Sequence, residues 1–218
     1  MAVAFDAASS GSVGSSASLT FAHTCTGTNL ALIVDVTYYH TAARSVSGVT
    51  YAGVAMTSIG GITRTGFNMR TEQWKLSAPA NGANNVVITM DGTTSEIQAG
   101  AISATGAHQT TASLTGTQAT AQGNSTTPSV AVTSATNEMV VDSVVADGPG
   151  SFTAGTGQTS RWSLPTGIGG AGSTEAGAAS VTMSWTITSG EWAICGVSIK
   201  EAAAAGGTGI LKQMMNYH

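Results

Sequence analysis

Charge is what this chain has least of. Only 8% of its 218 residues are Asp, Glu, Lys or Arg, against about a quarter in an ordinary soluble domain. Its seven Lys and Arg residues stand singly, so no basic run exists to neutralise a row of phosphates, a nucleic-acid partner is disfavoured, and none is expected. No apolar stretch is long enough to span a membrane. The opening residues lack both a cationic segment and a continuous apolar core, which predicts no secretory signal. Cysteine is nearly absent too: Cys25 and Cys195 are too few for a disulfide framework, and two buried thiols are favoured over a bridge between distant strands. Neither has a neighbour at CxxC or HxxxH spacing, so no zinc site is expected. No segment before residue 200 carries a capped helical apolar stripe, which removes parallel βαβ architecture and the usual nucleotide folds.

What the chain does have is β pattern. Ala179, Val181, Met183, Trp185 and Ile187 alternate with Ser and Thr, the period-two signature of a strand with one face in a core and the other wet. Leu30, Leu32, Val34, Val36 and Tyr38 form a second stripe, Val86, Ile88 and Met90 a third, and Met139, Val141 and Val145 a fourth. Further strands are expected at 17–24, 47–59, 69–77, 96–105, 128–133, 159–164 and 191–200. Turns are expected at Asn81-Gly82, Asp91-Gly92, Asp147-Gly148 and Ser189-Gly190. About a dozen short strands joined this way predict an all-β antiparallel two-sheet sandwich over residues 1–200. Residues 201–218 form an Ala/Gly linker and a C-terminal peptide.

The landmarks run through the sequence twice. Asn29 to Asp35, Arg70 to Trp74, Asn84 to Met90 and Ala101-Ile-Ser are followed in the same order by Asn137 to Asp142, Thr159 to Trp162, Ala179 to Trp185 and Ala193-Ile-Cys. Either low-complexity β sequence aligns with itself, or an internal duplication supplies equivalent strands to one sandwich.

Chemistry is sparse. Asp35 and Asp142 hold matching places in the two halves. A paired-carboxylate or calcium site is set against a strand-end carboxylate bonded to turn backbone or facing solvent, and the structural reading is favoured. His23, His40 and His108 lie far apart, no GxSxG elbow occurs, and Gly167-Ile-Gly-Gly-Ala-Gly172 lacks the Lys of a phosphate loop, so it reads as a flexible loop. No catalytic residue, metal or cofactor is therefore expected, and the chain is not read as an enzyme. Tyr38, Tyr39 and Trp162, near strand ends, are the candidates for stacking on a sugar, whereas Trp74, Trp185 and Trp192 are assigned to the core. In the tail, Ile210, Leu211, Met214, Met215 and Tyr217 fall on one face of a short helix. Nine residues are too few to hold a free helix, so this face is a candidate anchor on a partner.

Ser47-Gly-Val-Thr-Tyr-Ala-Gly-Val-Ala-Met-Thr57, Gln73-Trp-Lys-Leu-Ser-Ala-Pro79, Asn84-Asn-Val-Val-Ile-Thr and Trp192-Ala-Ile-Cys-Gly-Val-Ser-Ile-Lys200 together resemble the jelly-roll, concanavalin-like (lectin-like) β-sandwich proteins of tailed bacteriophages. Those are virion surface proteins: capsid decoration or cement proteins, head fibres and tail-associated adhesion modules. The resemblance covers most of residues 1–200. It implies a virion location, the major capsid protein or another virion protein as partner, and self-association, for instance as a trimer. No membrane or nucleic-acid partner is implied. A carbohydrate- or host-receptor-binding module of a fibre or tail is the alternative, with a glycan as ligand.

Overall fold

The computed structural model describes residues 1–40, 43–188 and 190–203. Its strands, in chain order, are β1 (Ala4–Cys25), β2 (Ala31–Tyr39), β3 (Val46–Tyr51), β4 (Val54–Ala55), β5 (Thr57–Thr63), β6 (Met69–Ser77), β7 (Gly82–Thr105), β8 (Ala119–Asn124), β9 (Ser129–Thr133), β10 (Met139–Asp147), β11 (Thr153–Ala154), β12 (Thr159–Leu164), β13 (Ile168–Ala176), β14 (Ser180–Thr186) and β15 (Glu191–Ile199). All the pairings are antiparallel. The all-β sandwich expected from the alternation is therefore present, but it is built twice.

In the first half, β5, β6, β2, residues 94–105 of β7 and residues 4–16 of β1 form a large sheet. The remainder of β1 and β7 pairs with β3 and β4 as a small sheet packed over it. In the second half the large sheet runs β12, β13, β10, β15, β8, and the small one β11, β14, β9. Strand for strand the order is the same, with β5, β6, β2, β7 and β1 answered by β12, β13, β10, β15 and β8. One difference is continuity. β1 and β7 pass unbroken through both sheets of the first sandwich, while their counterparts are divided into β8 and β9 and into β14 and β15. Pro128, which has no N–H to donate to a ladder, stands at the first of these breaks.

The register defines the correspondence. Ala31 pairs with Ser77 as Met139 pairs with Ala176, and β5 and β12 each carry a bulge, at Ser58/Gly60 and Ser160/Trp162. Each central strand is preceded by an asparagine with positive φ, Asn29 at 51° and Asn137 at 71°, a conformation Asn tolerates better than most residues. The match of Asn29 with Asn137 is correct, but Asp35 then falls opposite Ser143 and Asp142 opposite Val34. Trp162 corresponds to Gly60 rather than to Trp74, whose counterpart is Ser173.

Within each sandwich an apolar layer joins large sheet to small. Leu32, Val34, Val36 and Tyr38 meet Val49, Tyr51, Val86 and Ile88 in the first, and Val140 and Val144 meet Val132, Val181, Met183 and Trp185 in the second. The two large sheets then pack face to face. Ala31, Ile33 and Ile102 contact Met139, Val141 and Trp162, and Met69 joins Val145 and Ala193. The central strands are thus buried on both faces. The half of β2 expected to be wet, with Asp35 and Thr37, lies in the seam between the sandwiches and not in solvent. In the outer strand β14 the alternation holds as expected, with Val181, Met183 and Trp185 buried and Ser180 and Thr182 exposed.

Gly167–Gly172 is not a loop. All but its first residue belong to β13, an inner strand of the second large sheet, and Asp91-Gly92 lies within β7 and not at a turn. Both cysteines are free and buried.

Candidate functional site

The seam gathers the polar side chains that alternate with the apolar ones on β2, β6, β10 and β13. Asp35 accepts hydrogen bonds from Gln73 Nε2 at 3.0 Å and from the indole Nε1 of Trp162 at 3.0 Å. Gln118 Nε2 donates to Gln73 Oε1 at 3.1 Å. Thr71 Oγ1 donates to Ser143 Oγ at 2.7 Å across the two sheets, with the Cys195 thiol beside it at 3.7 Å. Each such bond repays the desolvation of a buried polar group, so the layer is fixed in register rather than merely apolar. Trp162 fits because it lies against glycines. A Cβ on Gly100 or Gly172 would come within 2.2 Å of its ring, and one on Gly170 within 3.1 Å.

Asp142 sits on the opposite face of its sheet, inside the second sandwich. It accepts from Ser173 N and Oγ at 2.8 and 2.7 Å and from Trp185 Nε1 at 2.6 Å. Burial pushes the Asp35 carboxyl up to about 8 and that of Asp142 up to about 7, against the pull of these hydrogen bonds. Burial likewise raises the Cys195 thiol well above its ordinary value. Neither aspartate is a strand-end group on turn backbone or in solvent, which corrects that expectation; both are interior hubs. Their side chains point to different layers, so they do not form a paired-carboxylate site. Among the described residues no group of three His, Cys, Asp or Glu side chains is placed to hold a metal ion.

The proposed sugar-stacking residues fare differently. Trp162 is 4% exposed and Tyr38 is 1% exposed, so neither ring can offer a face to a ligand. Trp162 is near a strand end in sequence, which suggests exposure, but the sheet opposite closes over it. Tyr39 is half-buried against the Met69, Val145 and Ala193 cluster of the seam. Ile210, Leu211, Met214, Met215 and Tyr217 lie outside the described residues. Trp74, Trp185 and Trp192 are buried, as assigned.

A concave surface lined by charged side chains belongs to the first sandwich, at the open edge between its two sheets. It is a groove of about 390 Å³ lined by Tyr38, Arg44, Ser45, Val46, Ser58, Thr63, Arg70, Glu72 and Trp74. β6 supplies Arg70, Glu72 and Trp74 on one face, because residues two apart on a strand project the same way. Glu72 organises that face. Its carboxylate accepts from Arg70 Nε at 2.7 Å and from Trp74 Nε1 at 2.8 Å, while Arg70 Nη1 donates to Thr63 at 3.2 Å. Across the groove the Tyr38 hydroxyl donates to the carbonyl of Arg44 at 3.3 Å, so Tyr38 contributes its polar tip where its ring cannot take part. Sequence reading misses the groove because Arg44, which precedes β3, is far in the chain from Arg70 and Glu72 on β6, and only the packing of the small sheet over the large one brings them to one groove. The spacing Arg70, Glu72, Trp74 was the available signal.

Comparison of the chain with protein-family models, with curated proteins and with solved structures finds no match in any of the three.

Proposed function

We propose that this chain is a structural protein of a tailed-phage virion, a decoration or cement subunit on the outer surface of the head. The observation supporting this reading is where the chemically capable side chains have gone. Asp35, Asp142, Ser143, Ser173 and Cys195 are all sealed between sheets, Asp142 bonded to Ser173, Asp35 to Gln73 and Trp162, and Ser143 to Thr71, so their chemistry serves to hold layers in register. The outcome is a rigid four-layer body with a weakly charged exterior. Such a body, tiled on a shell, gains avidity from many weak contacts and needs no deep pocket.

The described chain remains attached to this body through Ala202, whose N–H donates to the Gly106 carbonyl at 2.8 Å, so residues 206–218 would reach a partner from that end of the first large sheet. Co-sedimentation with capsids lacking the protein tests the reading, comparing the full chain with one ending at Ala205. Stoichiometric binding by the full chain alone supports decoration with a C-terminal anchor. Equal binding by both keeps decoration and removes the anchor, and binding by neither overturns the proposal. The alternative, a glycan- or receptor-binding module of a fibre or tail, loses Trp162 and Tyr38 as stacking platforms and must rely on the groove at Arg44.

A further inference from the structure

The two sandwiches share a strand plan, and they differ most in chemistry at the edge groove. The residues of the first sandwich that line it, Tyr38, Arg70, Glu72 and Trp74, correspond in register to Ala146, Gly169, Ala171 and Ser173 of the second. There the space is filled. Pro149 and Phe152 fold over the small residues, so that a Cβ on Gly169 would meet them at 2.5 and 3.0 Å, and Phe152 packs edge-on against Trp185 at 5.8 Å. The fold can thus close this edge with an apolar plug. The first sandwich instead keeps it open and lines it with two guanidinium groups, a carboxylate and hydroxyls.

Arg44 is the residue whose chemistry is unspent. Glu72 neutralises Arg70, whereas Arg44 makes no ion pair among the described residues, and its Nε is buried with no hydrogen-bond partner there. Asp91 lies close enough to feel its charge but is fully exposed and bonds to Ser45. The guanidinium is seated over Gly92, where a Cβ would come within 2.5 Å of Nη1. A buried donor without an acceptor is unfavourable, and the acceptor that best fits a planar guanidinium is a carboxylate. Around it, Ser58 offers a hydroxyl that can both donate and accept, Ser45, whose proton goes to Asp91, one that still accepts, and Thr63, which accepts from Arg70, one that still donates, together the complement of a polyol. The volume is near the lower end of about 300–1,000 Å³ for ligand sites, which suits one or two sugar rings.

We propose that this groove binds a carboxylate-bearing sugar residue, with Arg44 receiving the carboxylate and the Arg70–Glu72 pair and neighbouring hydroxyls reading the ring hydroxyls. This is independent of the decoration role, since a surface subunit can carry such a site without using it to hold the shell.

The test is a titration of the full chain followed by ¹H–¹⁵N correlation spectra, with D-glucuronate as probe, D-glucose as neutral control and acetate as a carboxylate without a ring. Glucuronate should give saturable shifts at the backbone of Arg44 and Ser45, at Arg70 Nε and at the indole N–H of Trp74, while the indole signals of Trp162 and Trp185 stay in place. Arg44→Gln should weaken binding at least tenfold with a melting temperature no lower than that of the unaltered chain, and Arg44→Lys should restore part of the binding. Equal response to glucose would overturn the role of the carboxylate, and equal response to acetate would overturn the sugar. No saturable shift, or shifts centred on the seam, would sink the proposal altogether. Capsid co-sedimentation of Arg44→Gln separates the two functions: it should match the unaltered chain.

Discussion

The two sandwiches use one strand plan for two different solutions to the same packing problem. In the first, the seam-facing residue at the centre of β2 is the carboxyl of Asp35. Its register mate in the second is Ser143, and the second sandwich turns its carboxyl, Asp142, inward instead. In the first, Gly60 stands at the bulge of the edge strand, and Gln118 lies where a Cβ would point, 2.8 Å away. In the second, that bulge carries Trp162, which crosses the seam to bond Asp35. Equivalence of backbone therefore leaves the side chains free to differ, and the differences interlock. The indole that one sandwich supplies is received by the carboxyl that the other supplies.

The sharpest way to break this comparison is to remove the interlock. Trp162→Ala leaves a cavity lined by Gly100, Gly170 and Gly172, which have no side chains to fill it, and strips Asp35 of a donor. A loss of about 3–5 kcal/mol is expected, read by urea unfolding. The same substitution at the bulge of the first sandwich has no counterpart, because Gly60 has no side chain to remove. A loss below about 1 kcal/mol would mean that the sandwiches are held by the apolar contacts at Ile33, Met139 and Val141 alone.

That asymmetry also explains what sequence could and could not disclose. β14 was legible because its second face is wet, so Ser180 and Thr182 alternate cleanly with Val181 and Met183. β2 gave the correct strand but the wrong surroundings, since a polar Asp35 and Thr37 look the same facing water as facing a second sheet. The glycines of β13 resemble a flexible loop in the sequence, because the Trp162 ring that occupies the place of their missing side chains is visible only in the fold. The first part of β1, rich in Ser, Gly and Ala, carries no apolar stripe and was missed for the same reason, as was β8. The groove is invisible in the sequence because Arg44, ahead of β3, meets Arg70 and Glu72 of β6 only once the small sheet packs over the large one. The duplicated order of landmarks was legible in outline, but the landmark residues were offset: Asp35 and Asp142 attract the eye, while the register is set by Asn29 and Asn137.

The two carboxyls sharpen the comparison through pH. Each is raised by burial above its unfolded value of 3.8, to about 8 for Asp35 and about 7 for Asp142. Over those ranges the folded state holds a proton that the unfolded chain has released, so stability falls as pH rises from about 4 and levels off above the folded value. His23 works in the opposite sense, because burial lowers it to about 4. It then adds stability as pH rises from about 4 to about 6.5. Asp35→Asn cannot ionise, so its stability curve should lose a slope of at most about 1.4 kcal/mol per pH unit between about pH 4 and 8. Asp142→Asn should lose the corresponding slope only up to about pH 7. Curves parallel to that of the unaltered protein, in unfolding experiments run at several pH values, would show that neither carboxyl holds its proton in the fold.

The smallest expected effect lies at the two ends of the seam, where the plan repeats a residue as well as a strand. Glu96 and Glu191 stand at equivalent positions opposite the ends of β2 and β10, and each reaches across to a hairpin of the other sandwich. Glu191 meets a charge there, the Arg64 guanidinium at 2.5 Å. Glu96 meets backbone instead, the Ile168 N–H at 3.1 Å, together with the Gln98 amide at 2.9 Å. Replacing either with Gln keeps an acceptor, so each should cost no more than about 1 kcal/mol. Salt separates them. Between about 0.01 and 1 M the Debye length falls from about 30 to about 3 Å, and the cost of Glu191→Gln should shrink over that range because the lost term is an ion pair near the surface. The cost of Glu96→Gln should hold nearly constant, since its donors are dipoles at contact distance. Equal salt dependence in the two variants would mean that the Arg64 charge adds nothing to the hydrogen bond, and that the two clamps are equivalent in energy as well as in place.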